Sequence, residues 1–235
     1  MARPIPPDRF DQLVRVAAEV FIAAGYRRTQ MSDVAEALGV AKGTVYLYVE
    51  SKEALFDVVA RHVDDESPIP CPAELPVEAP PIESTLDFVR ERIRAQGQIA
   101  PLARALEGPP AGDARAELEG IVHAVYDVLH RNRRGIKLLD RSAVDRPDIA
   151  ALWFEGGRGG LLAALTIYLR ARIDAGLLRE VPDIDAAARA VVEILGFWAV
   201  HRHWDAHPQH TSEKTARATA SELILRMFAK AGRRR

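Results

Sequence analysis

The sequence predicts an all-α protein: an N-terminal three-helix unit followed by a larger helical domain. Apolar residues recur at spacings of three and four from end to end, and no run alternates apolar with polar residues as a half-buried strand would. Six prolines between Pro68 and Pro81 then interrupt the periodicity. Each removes an amide donor and clashes with the preceding turn, so no helix crosses that stretch. The expected organisation is residues 1–66 as a helix-turn-helix domain, 67–83 as a proline-rich linker and 84–235 as a second helical domain.

The first helix is marked by Phe10, Leu13, Val14, Ala17, Val20, Phe21 and Ala24 on one face, with Asp8 able to cap its start and Gly25 to end it. Met31, Val34, Ala35 and Leu38 form a second stripe. Gly39 supplies a left-handed turn, and Val40, Val45 and Val49 pack the following helix back. Ser51 opens another helix, with Leu55, Val58 and Val59 inward, that decays at Asp64, Asp65 and Glu66. Beyond the prolines, helices are expected near 84–97, 101–106, 113–131, 134–140, 148–175, 185–203 and 212–231. Gly156, Gly157, Gly159 and Gly160 leave open whether the fifth of these is one helix or two.

With 48% hydrophobic and 28% charged residues the chain has the composition of a globular protein. A net charge of −1, and eight Lys/Arg against eight Asp/Glu in residues 1–63, mean that any contact with nucleic acid depends on local placement of charge. One cysteine, Cys71, excludes an internal disulfide and fits a reducing compartment. Met1 to Asp8 is polar and proline-rich, unlike a signal peptide, and Val191 to Val200 is too short to span a bilayer and contains Glu193. A cytoplasmic location with no membrane partner is expected.

Gly25 to Val49 therefore reads as helix, tight turn, helix. The second of these helices keeps a polar face of Lys42, Thr44, Tyr46 and Tyr48 around Gly43, with Arg27, Arg28 and Lys52 beside it and Arg3 and Arg9 within reach of a flanking backbone. One cation, three hydroxyls and a glycine that admits a close backbone approach suit a phosphate-lined duplex. The stretch Gly25–Tyr26, Asp33–Val34–Ala35, Leu38–Gly39–Val40, Lys42–Gly43–Thr44–Val45–Tyr46, Tyr48–Val49 and Ser51–Lys52–Glu53–Ala54–Leu55–Phe56 closely resembles the signature of the TetR family of transcriptional regulators. The resemblance covers about thirty residues. It implies that Thr29, Lys42, Gly43, Thr44, Tyr46, Tyr48 and Lys52 face DNA, mostly its phosphates, with Leu47 and Gly43 near base edges; Arg28, by its charge beside them, is a further DNA-binding candidate. Gln30 and Ala41 depart from it, standing where the family commonly has a capping hydroxyl residue, so Thr29 is expected to cap instead.

The resemblance further implies a C-terminal helical domain that dimerises and encloses a small-molecule effector, respacing two DNA-reading heads on a palindromic operator. Val191, Leu195, Trp198, Ala220, Leu223, Ile224, Met227 and Phe228 lie on apolar stripes of the last two helices and are the expected homodimer seam. Phe88, Tyr126, Trp153, Phe154, Tyr168, Trp198 and His201 are the candidate walls of an effector pocket for an apolar or aromatic ligand. His201, His203, His207 and His210 share no helix face and are read as solvated, so neither a metal nor a cofactor is expected. A P-loop, a dinucleotide fingerprint after a strand, zinc-type His/Cys spacing and a nucleophile elbow are all missing, which argues against an enzyme.

Overall fold

The computed structural model describes residues 8–109 and 113–230, and divides into two compact units: Met1–Ile93 with Arg134–Glu155, and Arg94–Arg133 with Gly156–Arg235. Arg3, the end of the last expected helix at Ala231 and the tail Arg233–Arg235 lie outside the described residues. The described residues hold twelve α-helices and one isolated parallel bridge, Val49 to Val77, with no strand. None of these helices is long and apolar enough to cross a membrane.

In the first unit α1 (Arg9–Ala24), α2 (Met31–Leu38), α3 (Lys42–Val45) and α4 (Lys52–His62) follow the expected order. Phe10, Leu13, Val14, Ala17 and Phe21 of α1 close on Val34 and Ala35 of α2, on Val45, and on Leu55, Phe56 and Val59 of α4, all buried. Phe56 meets Phe21 and Tyr26 edge-on at 5.4 and 4.9 Å between ring centres. Gly25 and Gly39 take φ of +83° and +70°, which L side chains rarely adopt, so the turns flanking α2 depend on glycine.

The proline-rich segment is tied to this bundle. Ile69 is buried and donates its amide to Asp11 at 2.9 Å, Arg15 donates to the Asp65 and Ser67 carbonyls, and Val77 exchanges backbone hydrogen bonds with Tyr48 and Glu50. The prolines that cannot donate leave neighbouring amides to be paired outside any helix, and α1 and the turn after α3 supply the partners. The rest of the unit is the greater part of α5 (Ile82–Gln96), most of α8 (Arg133–Ser142) and α9 (Pro147–Ala150). Buried carboxylates join these helices to α4. Asp57 accepts from Thr85 at 2.8 Å and from Arg61, while Asp64 accepts from Arg92 and from the amides of Arg134 and Gly135 at 3.0–3.1 Å.

The second unit packs α6 (Ala100–Glu107), α7 (Ala114–Arg131), α10 (Gly159–Asp174), α11 (Ile184–Ala199) and α12 (Glu213–Phe228) against one another. The long helix expected over 148–175 is α9, a stretch of wide π turns over Ala151–Arg158, and α10 in succession. The glycine cluster, poor in helix propensity, falls at that change of pitch. The helix expected over 185–203 ends at Ala199 and is followed by a 3₁₀ turn, His201–Trp204. Arg172 is buried at 2% exposure with its guanidinium bidentate on Glu117, at 2.8 and 3.1 Å, and donating to the Ala105 carbonyl.

Candidate nucleic-acid interface

The recognition element is assembled from very little chain. α3 has four residues and no side-chain cap, since Ala41 occupies its N-cap position, so tertiary packing must hold it. Val45, fully buried, anchors it, and the turn after it is fixed by Tyr48 and by the bridge to Val77. What remains outward is Lys42, Gly43, Tyr46 and Leu47, with Thr44 half-buried; Tyr46 is 38% and Leu47 58% exposed. The Lys42 ammonium lies 6.0 Å from the Tyr46 ring centre, at the limit of a cation–π contact. A Cβ at Gly43 would meet nothing within 4 Å, so a partner's backbone has open access there.

Four expectations for this face change. Tyr48 is 2% exposed, its ring against Phe10 at 6.3 Å, and belongs to the core because the turn after α3 folds it inward. Thr29 is 1% exposed and its hydroxyl donates to the Gly25 carbonyl at 2.8 Å, so it neither faces outward nor caps α2. Gln30 occupies that N-cap, and the Asp33 carboxylate accepts its amide at 2.8 Å, the reciprocal half of a capping box. Lys52 is half-buried: its ammonium donates to the carbonyls of Tyr26, Arg27 and Thr29 at 3.2–3.4 Å and sits 4.6 Å over the Tyr26 ring. It braces the α1–α2 loop. Arg27 and Arg28 are exposed, with Arg28 Nε on the Ala24 carbonyl at 2.9 Å.

Tyr26 links this loop to α9. Its hydroxyl donates to Glu53 at 2.8 Å, and the Arg146 guanidinium lies 4.8 Å over its ring, held in turn by Asp148. Burial, then the Glu53 carboxylate, raise the Tyr26 pKa far above that of a free phenol, so this hydroxyl remains a donor at any physiological pH. Neither Arg146 nor Asp148 was flagged in the sequence, and over a hundred residues of separation leave no local signal for the pairing.

The expected effector-pocket residues divide between the two units. Phe88, Trp153 and Phe154 belong to the first unit, where Phe88 stacks under Arg61 at 4.5 Å and Phe154 is exposed. Tyr126 and Tyr168 are buried in the core of the second unit, and Trp198 and His201 are half-buried there. The first unit holds a wholly apolar cavity of about 10 Å³ lined by Phe56, Ile82, Leu86, Val89, Leu139 and Ile149, among others, and by none of the seven. The dimer stripes are corrected as well: Val191, Leu195, Ala220, Ile224 and Phe228 are buried within the second unit, because α7, α10, α11 and α12 consume their own apolar faces. Leu223 stays 49% exposed, Trp198 and Met227 are half-buried, and Phe197, which the stripe did not include, is 42% exposed.

In the second unit His203, expected to be solvated, joins a polar cluster with two residues distant in sequence. His130, His203 and Glu213 bring their ligand-type atoms within 4.8 Å of one another, and Tyr126 donates to Glu213 Oε1 at 2.5 Å.

Residues 13–59 match a family model described as bacterial regulatory proteins, tetR family, and residues 128–231 match that of an AefR-like transcriptional repressor, C-terminal domain. The HTH-type transcriptional activator FasR of Mycolicibacterium smegmatis is 26% identical over 146 residues, 61% of this chain and 51% of FasR. The fatty acid metabolism regulator protein of Bacillus subtilis is 42% identical over 45 residues, 19% of this chain and 23% of that protein. The HTH-type transcriptional repressor KstR2 of Rhodococcus jostii is 34% identical over 58 residues, 25% and 28% of the two chains. The chain thus spans about half the length of FasR and about a quarter of the other two. Among solved structures, the ketosteroid regulator KstR2 of Mycobacterium tuberculosis superposes with a TM-score of 0.54 at 18% identity, over 97% of this chain and 98% of that one. The probable transcriptional regulatory protein RHA5900 gives 0.56 at 17%, over 95% and 100%. At these identities the structures establish a shared fold.

Proposed function

The chain belongs to the TetR family of DNA-binding transcriptional regulators and is not an enzyme, and from that premise we propose that it is a cytoplasmic homodimeric repressor that leaves a palindromic operator when a small apolar effector binds. The observation that carries the DNA-reading half is α3 with the turn after it: one buried anchor, Val45, holds Lys42, Gly43, Tyr46 and Leu47 in water. Lys42 and the Tyr46 hydroxyl address phosphates, which set position and supply the salt-dependent part of affinity, while Leu47 and the bare Gly43 backbone approach base edges. Arg27 and Arg28 extend the positive edge. Two copies of so short a reading element give useful affinity only together, on half-sites about one helical turn apart. Phe197 and Leu223, the apolar side chains that α11 and α12 leave in water, are the centre of the proposed seam.

The match of residues 128–231 to an AefR-like repressor C-terminal domain supports repression as the output. For release, the apolar cavity of the first unit offers a route, since its wall includes Phe56 of α4, whose ring packs on Phe21 and Tyr26 at the base of the recognition loop. About one water fits in 10 Å³, so an effector entering there must part α4 from α5 and α8. It shifts the equilibrium away from the operator only by its preference for that opened state.

The test is selection of duplexes from a randomised pool by the purified protein at two salt concentrations. Enrichment of one inverted repeat, weakened at the higher salt, is the expected result, and an apolar compound that displaces that duplex identifies the effector class. No enriched sequence at either salt overturns the proposal.

A further inference from the structure

In the second unit the end of α7, the 3₁₀ turn His201–Trp204 and the start of α12 converge on one carboxylate. The geometry points to a site for a divalent transition-metal ion, zinc in type, held by His130, His203 and Glu213. Their ligand atoms lie within 4.8 Å of one another, and each comes from a different element, so an ion there pins three chain segments together. Two imidazoles and a carboxylate form a three-ligand set with a fourth position open to water.

His130 supplies the second observation. Its Nδ1 is buried and lies 3.2 Å from Glu213 Oε1, yet makes no hydrogen bond of acceptable direction. A buried ring nitrogen facing a carboxylate oxygen without a proton aligned between them is stabilised by a cation that bridges the two. His203 Nε2 stands 3.8 Å from the other carboxylate oxygen. Glu213 is held for this role from both sides: the Tyr126 hydroxyl donates to Oε1 at 2.5 Å and Arg202 to Oε2, while Ser212 caps α12 and fixes the backbone. Outer partners of this kind orient a ligating carboxylate.

The same surroundings select the ion. Calcium and magnesium require six or more oxygens, which this cluster does not offer, and the Arg202 guanidinium opposes any cation not compensated by strong nitrogen ligation. Tetrahedral bonds of about 2.0–2.1 Å place ligand atoms about 3.4 Å apart; His130 and Glu213 already meet that spacing at 3.2 Å, so binding needs only His203 to close in, by at most about 1.4 Å. His203 is free to supply that movement, lying on a short turn with its side chain 29% exposed.

The full chain, stripped with a chelator and titrated with zinc against a chromophoric competitor, tests the site. One ion per chain is expected, with affinity reduced at least about tenfold in His203→Ala and in His130→Gln, unchanged in the double variant His207→Ala with His210→Ala, and with no response to magnesium. Zinc should also raise the thermal midpoint of the wild type and not of His203→Ala. Cobalt in place of zinc should give the intense visible bands of a tetrahedral site. Absence of stoichiometric binding, or an ion retained undiminished in both His203→Ala and His130→Gln, overturns the assignment. Operator binding by these variants is a separate measurement, so a failure here is distinguishable from a failure of the regulator reading.

Discussion

In the first unit, α3 and the turn after it commit Val45 and Tyr48 to the core and leave Lys42, Gly43, Tyr46 and Leu47 in water; in the second, α11 and α12 bury most of their apolar stripe and leave Phe197 and Leu223 outside. Both patterns read as amphipathic in the sequence. The difference is in what holds the helix. A four-residue helix has almost no stability of its own, so its placement is set by α2, Gly39 and the Val49–Val77 bridge, and every position not needed for anchoring is available to a partner. Sixteen-residue helices at the centre of a bundle are themselves the core. Amphipathic periodicity therefore establishes that a face is buried without saying whether the burying surface is the same chain or a second one.

The units also differ in buried charge, and the largest expected effect tests this. In the second unit Glu117 is, among the described residues, the one carboxylate paired with Arg172. Glu117→Ala should therefore destabilise that unit by about 3–5 kcal/mol, read as lost hydrogen-exchange protection in α7 and α10. Restoring an apolar pair with Arg172→Met and Glu117→Leu should recover most of it. In the first unit the corresponding charge, Asp64, has three donors from two elements. A Cβ at Gly135 would meet its Oδ2 at 2.4 Å, so Gly135→Ala should displace the carboxylate. We expect a loss of about 1–2 kcal/mol after the helix-propensity gain is counted, visible as a lower denaturation midpoint.

The two lysines sharpen the contrast within the recognition region. Lys42→Ala should reduce operator affinity and lower the slope of log affinity against log salt by about one, with the fold unchanged. Lys52→Ala removes a brace on three carbonyls and should lower the thermal midpoint, with little change in slope; equal slopes and stabilities for the two variants would erase the distinction. Tyr46→Phe, at an exposed position, should weaken operator binding about three- to tenfold, the worth of one hydrogen bond, without unfolding. The smallest effect concerns pH. Burial, reinforced by the nearby Arg217 cation, holds His123 below the ordinary histidine value against the weaker pull of Glu119 and Asp127. The unfolded chain takes up its proton first, so the stability from neutral His123 is present above about pH 6.5 and lost as pH falls from there. His123→Gln should flatten the decline in thermal midpoint between pH 7 and pH 5.5.

Much of the first unit was legible in the sequence because its signals are local. Gly25 and Gly39 mark turns that need positive φ, Ser51 caps α4 through Ala54 at 3.1 Å, and the stripe from Phe10 to Phe21 is the buried face of α1. Thr29 and Tyr48 were misplaced because a hydroxyl residue beside a reading helix looks the same whether its oxygen faces phosphate or the Gly25 carbonyl. His130 and Glu213 were invisible as partners because 83 positions separate them.

The all-helical fold, the helix-turn-helix and the family are written locally in the chain, since periodicity, caps and turn glycines act over a few residues. Which stripes are core and which remain open, the pairing of the proline-rich segment with α1 and the turn after α3, the bracing of a loop by Lys52 and the meeting of two histidines with Glu213 emerge only on folding. These outcomes depend on long-range packing, where the same side chain satisfies itself with whichever neighbour the fold delivers.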